Sequence, residues 1–231
     1  MNKRLQRLGL GLVLMGIVFF AAGGYTAIKT QAGAKALQSF SAAQNVTLRY
    51  NDQGQLVDGA GKTDEATAIM AFLQNDWGFK VDSSEMNPND PLVNTASEYM
   101  YQMATISYHT LRATTSVVIP ADVVVDGKVV TPAGTYEYVN DGKYWTGFDR
   151  TDPIQAAARG QIWTGTAHAL IAELGVGSVT ASALTMGFGI AALFALVGLT
   201  VLMTGFGLIW ATRTQTEKVK APAFKPVANP A

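Results

Sequence analysis

The chain has 231 residues, with 17 basic and 17 acidic side chains that cancel, two histidines and no cysteine. A zero balance offers nucleic acid no basic field to bind, and the missing cysteine removes disulfides and thiolate-ligated metal sites. Hydrophobic residues make up 48% of the chain, and their placement decides its class.

Two uninterrupted apolar runs stand near the ends, at 8–28 and 183–211. A helix rising about 1.5 Å per residue needs roughly 20 residues to cross a hydrocarbon core of about 30 Å, so each run is long enough to span a bilayer. The division expected is a stub at 1–7, a first span at 8–28, an extracytoplasmic α+β domain at 29–179, a second span at 180–212 and a disordered tail at 213–231. Charge sets the orientation. The stub has Lys3, Arg4 and Arg7, and the tail has Arg213, Lys218, Lys220 and Lys225 against Glu217, so the two ends together hold +6. The segment 29–180 holds the other 10 basic and 16 acidic groups, a balance of −6. Basic residues next to spans stay on the cytoplasmic side, which puts both termini in the cytoplasm and the acidic middle outside, in the cell membrane. Cleavage of the first run as a signal peptide at Ala32-Gly33-Ala34 is the competing reading. Secretory apolar regions run about 7–15 residues, and the greater length here favours a retained anchor.

The stretch 29–41 is expected to prolong the first helix as a stalk. Alternation of Val46, Leu48 and Tyr50 with polar neighbours predicts a strand, closed by a turn at Asn51-Asp52-Gln53-Gly54. A helix is predicted over 64–77, capped by Thr63, with Ala66, Ile69, Met70, Leu73 and Trp77 on one face and Gly78 at its end. Asp90 as cap and Pro91 as first residue predict a second helix to about Arg112, with an apolar stripe of Val93, Ala96, Met100, Met103, Ser107 and Leu111. Between 115 and 145 the pattern becomes that of strands, at 117–119, 123–125, 129–130, 136–139 and 144–145. They are divided by Asp126-Gly127, Pro132-Ala133-Gly134 and Asn140-Asp141-Gly142, as in a small antiparallel meander. Asp152-Pro153 opens a third helix, expected to run from 154 to about 174 and to stop at Gly175-Val176-Gly177. The fold class expected is therefore α+β: about three helices and a small antiparallel sheet, flanked by two transmembrane helices.

Candidate chemistry is sparse. Asp58-Gly59-Ala60-Gly61-Lys62-Thr63 ends like a phosphate-binding loop, but Leu56 stands where the loop needs its first glycine. His109 and His168 lie on different predicted helices, the first facing away from the core and the second among Ala and Thr, so a metal would have to draw carboxylates from remote segments. Ser107 cannot face His109, because helix residues two apart point in different directions. The run 82–90 is rich in oxygen ligands yet lacks the order of a calcium loop. Tyr136, Tyr138, Tyr144, Trp145 and Phe148 form an aromatic cluster, read as sheet-to-helix packing or contact with the bilayer interface. No catalytic, metal-binding or cofactor-binding residue is assigned, and no cofactor is expected. Both spans lack ionisable groups, which argues against a proton or ion pathway. They carry instead a rhythm of small residues: Gly9, Gly16 and Gly23 in the first, Gly187, Ala191, Ala195 and Gly198 in the second. Such stripes let helix backbones approach closely, and these seven are the expected helix-packing residues.

The order of parts, with Phe148-Asp149-Arg150-Thr151-Asp152-Pro153-Ile154 leading through a helix into a Gly/Ala-rich second span, resembles small actinobacterial two-span membrane proteins of unknown function. Some of these carry the label "aromatic ring-opening dioxygenase LigA". The resemblance implies a two-span membrane protein. The activity in the label needs an iron site of His and carboxylate ligands, which neither histidine's setting supplies, so no catalytic residue is carried over. The function expected is that of a non-enzymatic accessory or assembly subunit. Its partners would be the lipid bilayer and either another membrane or envelope protein or a second copy through the spans. The alternative is a cell-envelope enzyme with an unrecognised site.

Overall fold

A computed structural model describes residues 2–59 and 61–219. Two long apolar helices, α1 (Asn2–Gln44) and α5 (Gly165–Val219), accompany short helices and small antiparallel sheets. The stalk continues α1 without a break, as expected. The disordered tail was expected from 213; α5 runs on to Val219, and 220–231 lie outside the described residues. The chain divides into two compact units, 1–34 with 184–231, and 35–183.

The first unit is an antiparallel pair of helices. Gly9 lies beside Gly205, Gly16 beside Gly198, Gly23 beside Ala191 and Thr30 beside Gly187, so one chain direction runs against the other. Phe19 and Phe194 meet at a centroid distance of 6.0 Å. The outward faces are apolar and uncovered: Leu14, Val18, Phe20, Leu193, Leu196 and Phe206 are all more than half exposed.

The second unit has a core in two parts. Helix α2 (Thr63–Ala71) runs into a single π turn, Phe72–Asp76, and Gly78 at φ +65 ends it. Ala66, Ile69 and Leu73 are buried, as the expected face requires. Lys62, not Thr63, holds the cap position, and Thr63 is already helical. Helix α3 (Ala96–Leu111) begins five residues later than Asp90-Pro91 suggests. Residues 46–48 pair with 91–93 through Leu48 N–H to Pro91 O (2.8 Å) and Val93 N–H to Val46 O (2.9 Å). This correction therefore also reduces the expected strand at 46–50 to isolated bridges. Thr95 and Glu98 form a reciprocal capping box, which satisfies two amides where Asp90 could satisfy one, and the helix starts there. Burial runs around α3, taking in Tyr99, Tyr101, Ala104 and Tyr108 as well as Ser107 and Leu111, so the single stripe predicted for it is too narrow.

The strands are β1 (Thr114–Ile119), β2 (Val123–Val125), β3 (Lys128–Thr131) and β4 (Gly134–Val139). They are nested ribbons, not a meander: β1 pairs with β4, and β2 with β3. Asp126 (φ +50) and Gly127 (φ +75) make the tight two-residue turn expected there. Residues 144–145 form no strand. Val117 and Ile119 of β1 face α4 (Pro153–Ile162) and pack with its Ala158 and Ile162. Asp152 caps α4 through Ile154 N–H (2.9 Å), with Pro153 as first residue, as predicted. The helix ends at Ile162, and α5 then passes Gly175 and Gly177 unbroken. Gly177 is there for space: a β-carbon on it would sit 2.5 Å from the Tyr99 ring. That close approach explains a glycine the sequence suggests as a stop.

Candidate functional site

The small residues of α1 and α5 come together along one seam. A β-carbon on Gly16 would meet Gly198 O at 2.9 Å and Leu202 N at 2.8 Å; on Gly23, Ala195 N at 2.8 Å and Ala191 O at 2.9 Å; on Gly198, Phe20 N at 2.6 Å. Contact with backbone cannot be relieved by turning a side chain, so bulk at these sites must part the helices. Gly9 faces Gly205 O at 2.9 Å, and Gly187 faces the Thr30 side chain. Gly205 and Thr30 belong to the seam although the sequence reading missed them. The signal was present: Gly205 follows Gly198 by seven residues and Thr30 follows Gly23 by seven. Spacing of seven keeps a seam facing its partner when two helices wrap with a left-handed twist.

The phosphate-loop-like segment is a tight turn in which Asp58 and Lys62 bridge. His109 is exposed and its Nε2 meets Asp58 Oδ2, a pairing between segments 51 residues apart that no local pattern announces. Two phenols, Tyr101, buried, and Tyr50, half-buried, have enclosed hydroxyl oxygens without a hydrogen-bond partner among the described residues. Burial pushes both above the ordinary phenol range, with Glu98 adding to the effect at Tyr50 and Asp58 at Tyr101. His168 stands edge-on to Trp145 (5.0 Å), and its Nδ1–H donates to Thr164 O (3.0 Å). The oxygen-rich run bonds to itself and to α3: Asp82 takes Ser84 N–H (2.9 Å) and Glu85 takes Ser97 N–H (2.8 Å). No three metal-ligating side chains gather among the described residues. The aromatic cluster packs sheet to helix. Phe148 is buried beside Tyr138 at 5.9 Å, and the Arg159 guanidinium of α4 lies 3.3 Å from the Trp145 ring centre.

One concavity is a feature the sequence did not suggest. An open cleft of about 960 Å³ in the second unit lies between the π turn, the end of α3 and the turn after β4. The π turn and the residue after it supply Phe72, Asn75, Asp76 and Trp77; α3 and its end supply Tyr108 and Arg112; the far wall is Val139, Asp141, Gly142 and Tyr144. Trp77 Nε1–H donates to the Tyr144 hydroxyl at 3.1 Å, tying the two walls. The Arg112 guanidinium lies 4.1 Å from the centre of the Tyr108 ring. Single π turns concentrate at functional sites, and this one turns Asn75 and Asp76 outward beside an indole. The signals in the sequence were faint: Asn75-Asp76-Trp77 closing a helix, and the turn residues Asn140-Asp141-Gly142, of which Asp141 takes φ +47. A smaller apolar pocket of about 210 Å³ lies where 40–46 meets α3 and the start of α5, over a Ser41–Tyr99 hydroxyl bond of 2.7 Å.

No family model, curated protein or solved structure matches this chain.

Proposed function

We propose that this is an integral membrane protein with two spans and cytoplasmic termini, whose outer domain binds another component of the cell envelope as a non-enzymatic accessory or assembly subunit. The observation that carries the reading is the contrast within the first unit. Its two helices meet closely at glycine, alanine and threonine, while many of their large apolar side chains, Leu14, Val18, Leu196 and Phe206 among them, stay uncovered. A soluble helix pair buries those side chains; in lipid the outer face needs no cover, and close backbone packing holds the pair. The acidic balance of 29–180 against basic ends supports the orientation. The open cleft on the second unit supports a binding role.

Because the chain has no cysteine, single introduced thiols report the side of the membrane directly. Gln53→Cys, in the exposed turn, is expected to react with an impermeant thiol reagent in intact cells. Ala223→Cys, beyond the described residues, is expected to react only after lysis. The reverse pattern overturns the topology.

A further inference from the structure

We propose that the cleft beside the π turn binds a neutral oligosaccharide, which makes the envelope component recognised by the outer domain a glycan. This rests on the reading that the second unit faces outward and binds such a component. The cleft joins two kinds of surface. Trp77 and Tyr144 offer partly exposed rings, and the same cleft is lined by the exposed side chains of Asn75, Asp76, Asp141 and Arg112. A sugar ring has the complementary form, with an apolar face of C–H groups and a rim of hydroxyls that both donate and accept. Aromatic faces suit the first, and carboxylate, amide and guanidinium groups suit the second.

Other ligand classes fit less well. A peptide added as a strand needs open main-chain groups. Here Gly142 N–H is taken by Leu111 O (2.8 Å), Asn140 N–H by Ala113 O (2.9 Å) and Trp77 N–H by Phe72 O (3.2 Å). An acyl chain would leave four polar side chains unsolvated. A polyanion would meet two carboxylates against one guanidinium, on a segment whose balance is −6. What remains is an uncharged ligand with many hydroxyls. The polar groups are free to serve it: among the described residues the side chains of Asn75, Asp76 and Asp141 make no hydrogen bond, and Arg112 has no carboxylate within 4 Å. The cleft lies at the upper end of the range of about 300–1,000 Å³ in which small-molecule sites fall, room for several linked sugars.

The test uses the full chain in phosphatidylcholine nanodiscs, since many detergents carry sugar heads. Hexamers of β-1,4-linked N-acetylglucosamine and of α-1,4-linked glucose are titrated by calorimetry. Saturable binding of at least one is expected, weakened about 10-fold or more by Trp77→Ala and several-fold by Asn75→Ala or Asp76→Ala. Trp77→Phe keeps a ring and should retain most of the affinity. Asn75 and Asp76 are exposed and lose no bond, so their effects cannot be ascribed to unfolding. Val139→Cys, on the exposed wall of the cleft, adds a second readout: bound hexamer should slow its labelling. No saturable binding of either hexamer up to millimolar concentration, or binding that the cleft variants leave unchanged, overturns the proposal. The membrane reading is scored separately by the same thiol. Labelling of Val139→Cys in intact cells without hexamer protection sinks the glycan alone, whereas labelling only after lysis sinks the outward orientation. A hexamer recovered in shortened form would uphold the ligand and overturn the non-enzymatic role.

Discussion

The two units of this molecule achieve close packing by opposite means. Along the seam of α1 and α5 the decisive groups are missing side chains: backbone meets backbone at Gly16–Gly198 and at Gly23–Ala191, and the nearby Thr26 hydroxyl bonds to its own helix at Ala22 O, 2.9 Å away. The second unit instead surrounds polar groups with large ones. Glu98 and Asn140 are almost wholly buried, as are Ile69, Leu73 and Val117. In the membrane setting proposed for the pair, lipid tails give helices no hydrophobic reason to associate, and contact distance takes that role. Water drives the second unit together and favours a partner for each buried polar atom, as Asn140 finds at Thr110 O through its amide nitrogen (2.8 Å).

Removing bulk should therefore injure one unit and adding bulk the other. Leu73 is fully buried in the larger core cluster. Leu73→Ala should cost about 2–5 kcal/mol, the range for emptying a packed site. Its effect should appear in tryptophan fluorescence of the second unit, while cysteines at Phe19 and Phe194 still crosslink. Loss of that crosslink together with the core would show that the two units do not hold their structure independently. The next effect in size belongs to the seam. Gly16→Leu should cost about 1–3 kcal/mol as an overpacked contact and suppress the crosslink, whereas Gly24→Leu, with open space around it, should do neither. Equal loss in both variants would mean that the seam has no special role.

The same contrast explains what could be read from the sequence. The helix pair is periodic and local, so length, charge bias and a spacing of seven exposed its elements and most of its small residues. The second unit yielded its turns, at Gly54, Asp126-Gly127 and Gly78, and the Asp152-Pro153 cap. Wherever two local signals competed, or a partner lay far along the chain, the reading failed. Asp90-Pro91 looks like a cap until Thr95–Glu98 offers a better one. Val46 to Leu48 look like a free strand until 91–93 pair with them. Gly177 looks like a stop until Tyr99 lies against it. The cleft was the least legible part, because its walls come from segments about 30 residues apart and its defining element, a π turn, has no sequence pattern of its own.

The smallest effect expected tests the polar side of the comparison. Glu98, 1% exposed, accepts from Asn94 N–H (3.1 Å), Thr95 N–H (3.0 Å) and the Thr95 hydroxyl (2.8 Å) through one oxygen. Burial pushes its carboxyl above the ordinary range, and Asp90 adds to that, while the three hydrogen bonds pull the other way without prevailing. A carboxyl raised in the folded state takes up its proton more readily there than in the unfolded chain. Its contribution to stability is thus fully present below the unfolded value and is lost as the pH rises through the folded one. Glu98→Gln keeps an acceptor oxygen and removes the titration. Chemical unfolding of the two proteins should show the wild type gaining on the variant as the pH falls from 7 towards 5, by about 1 kcal/mol or less, since one pKa unit corresponds to about 1.4 kcal/mol. A wild type that loses ground over that interval would mean that the capping bonds outweigh burial. The buried acid would then be an asset at neutral pH, held as a carboxylate by its donors.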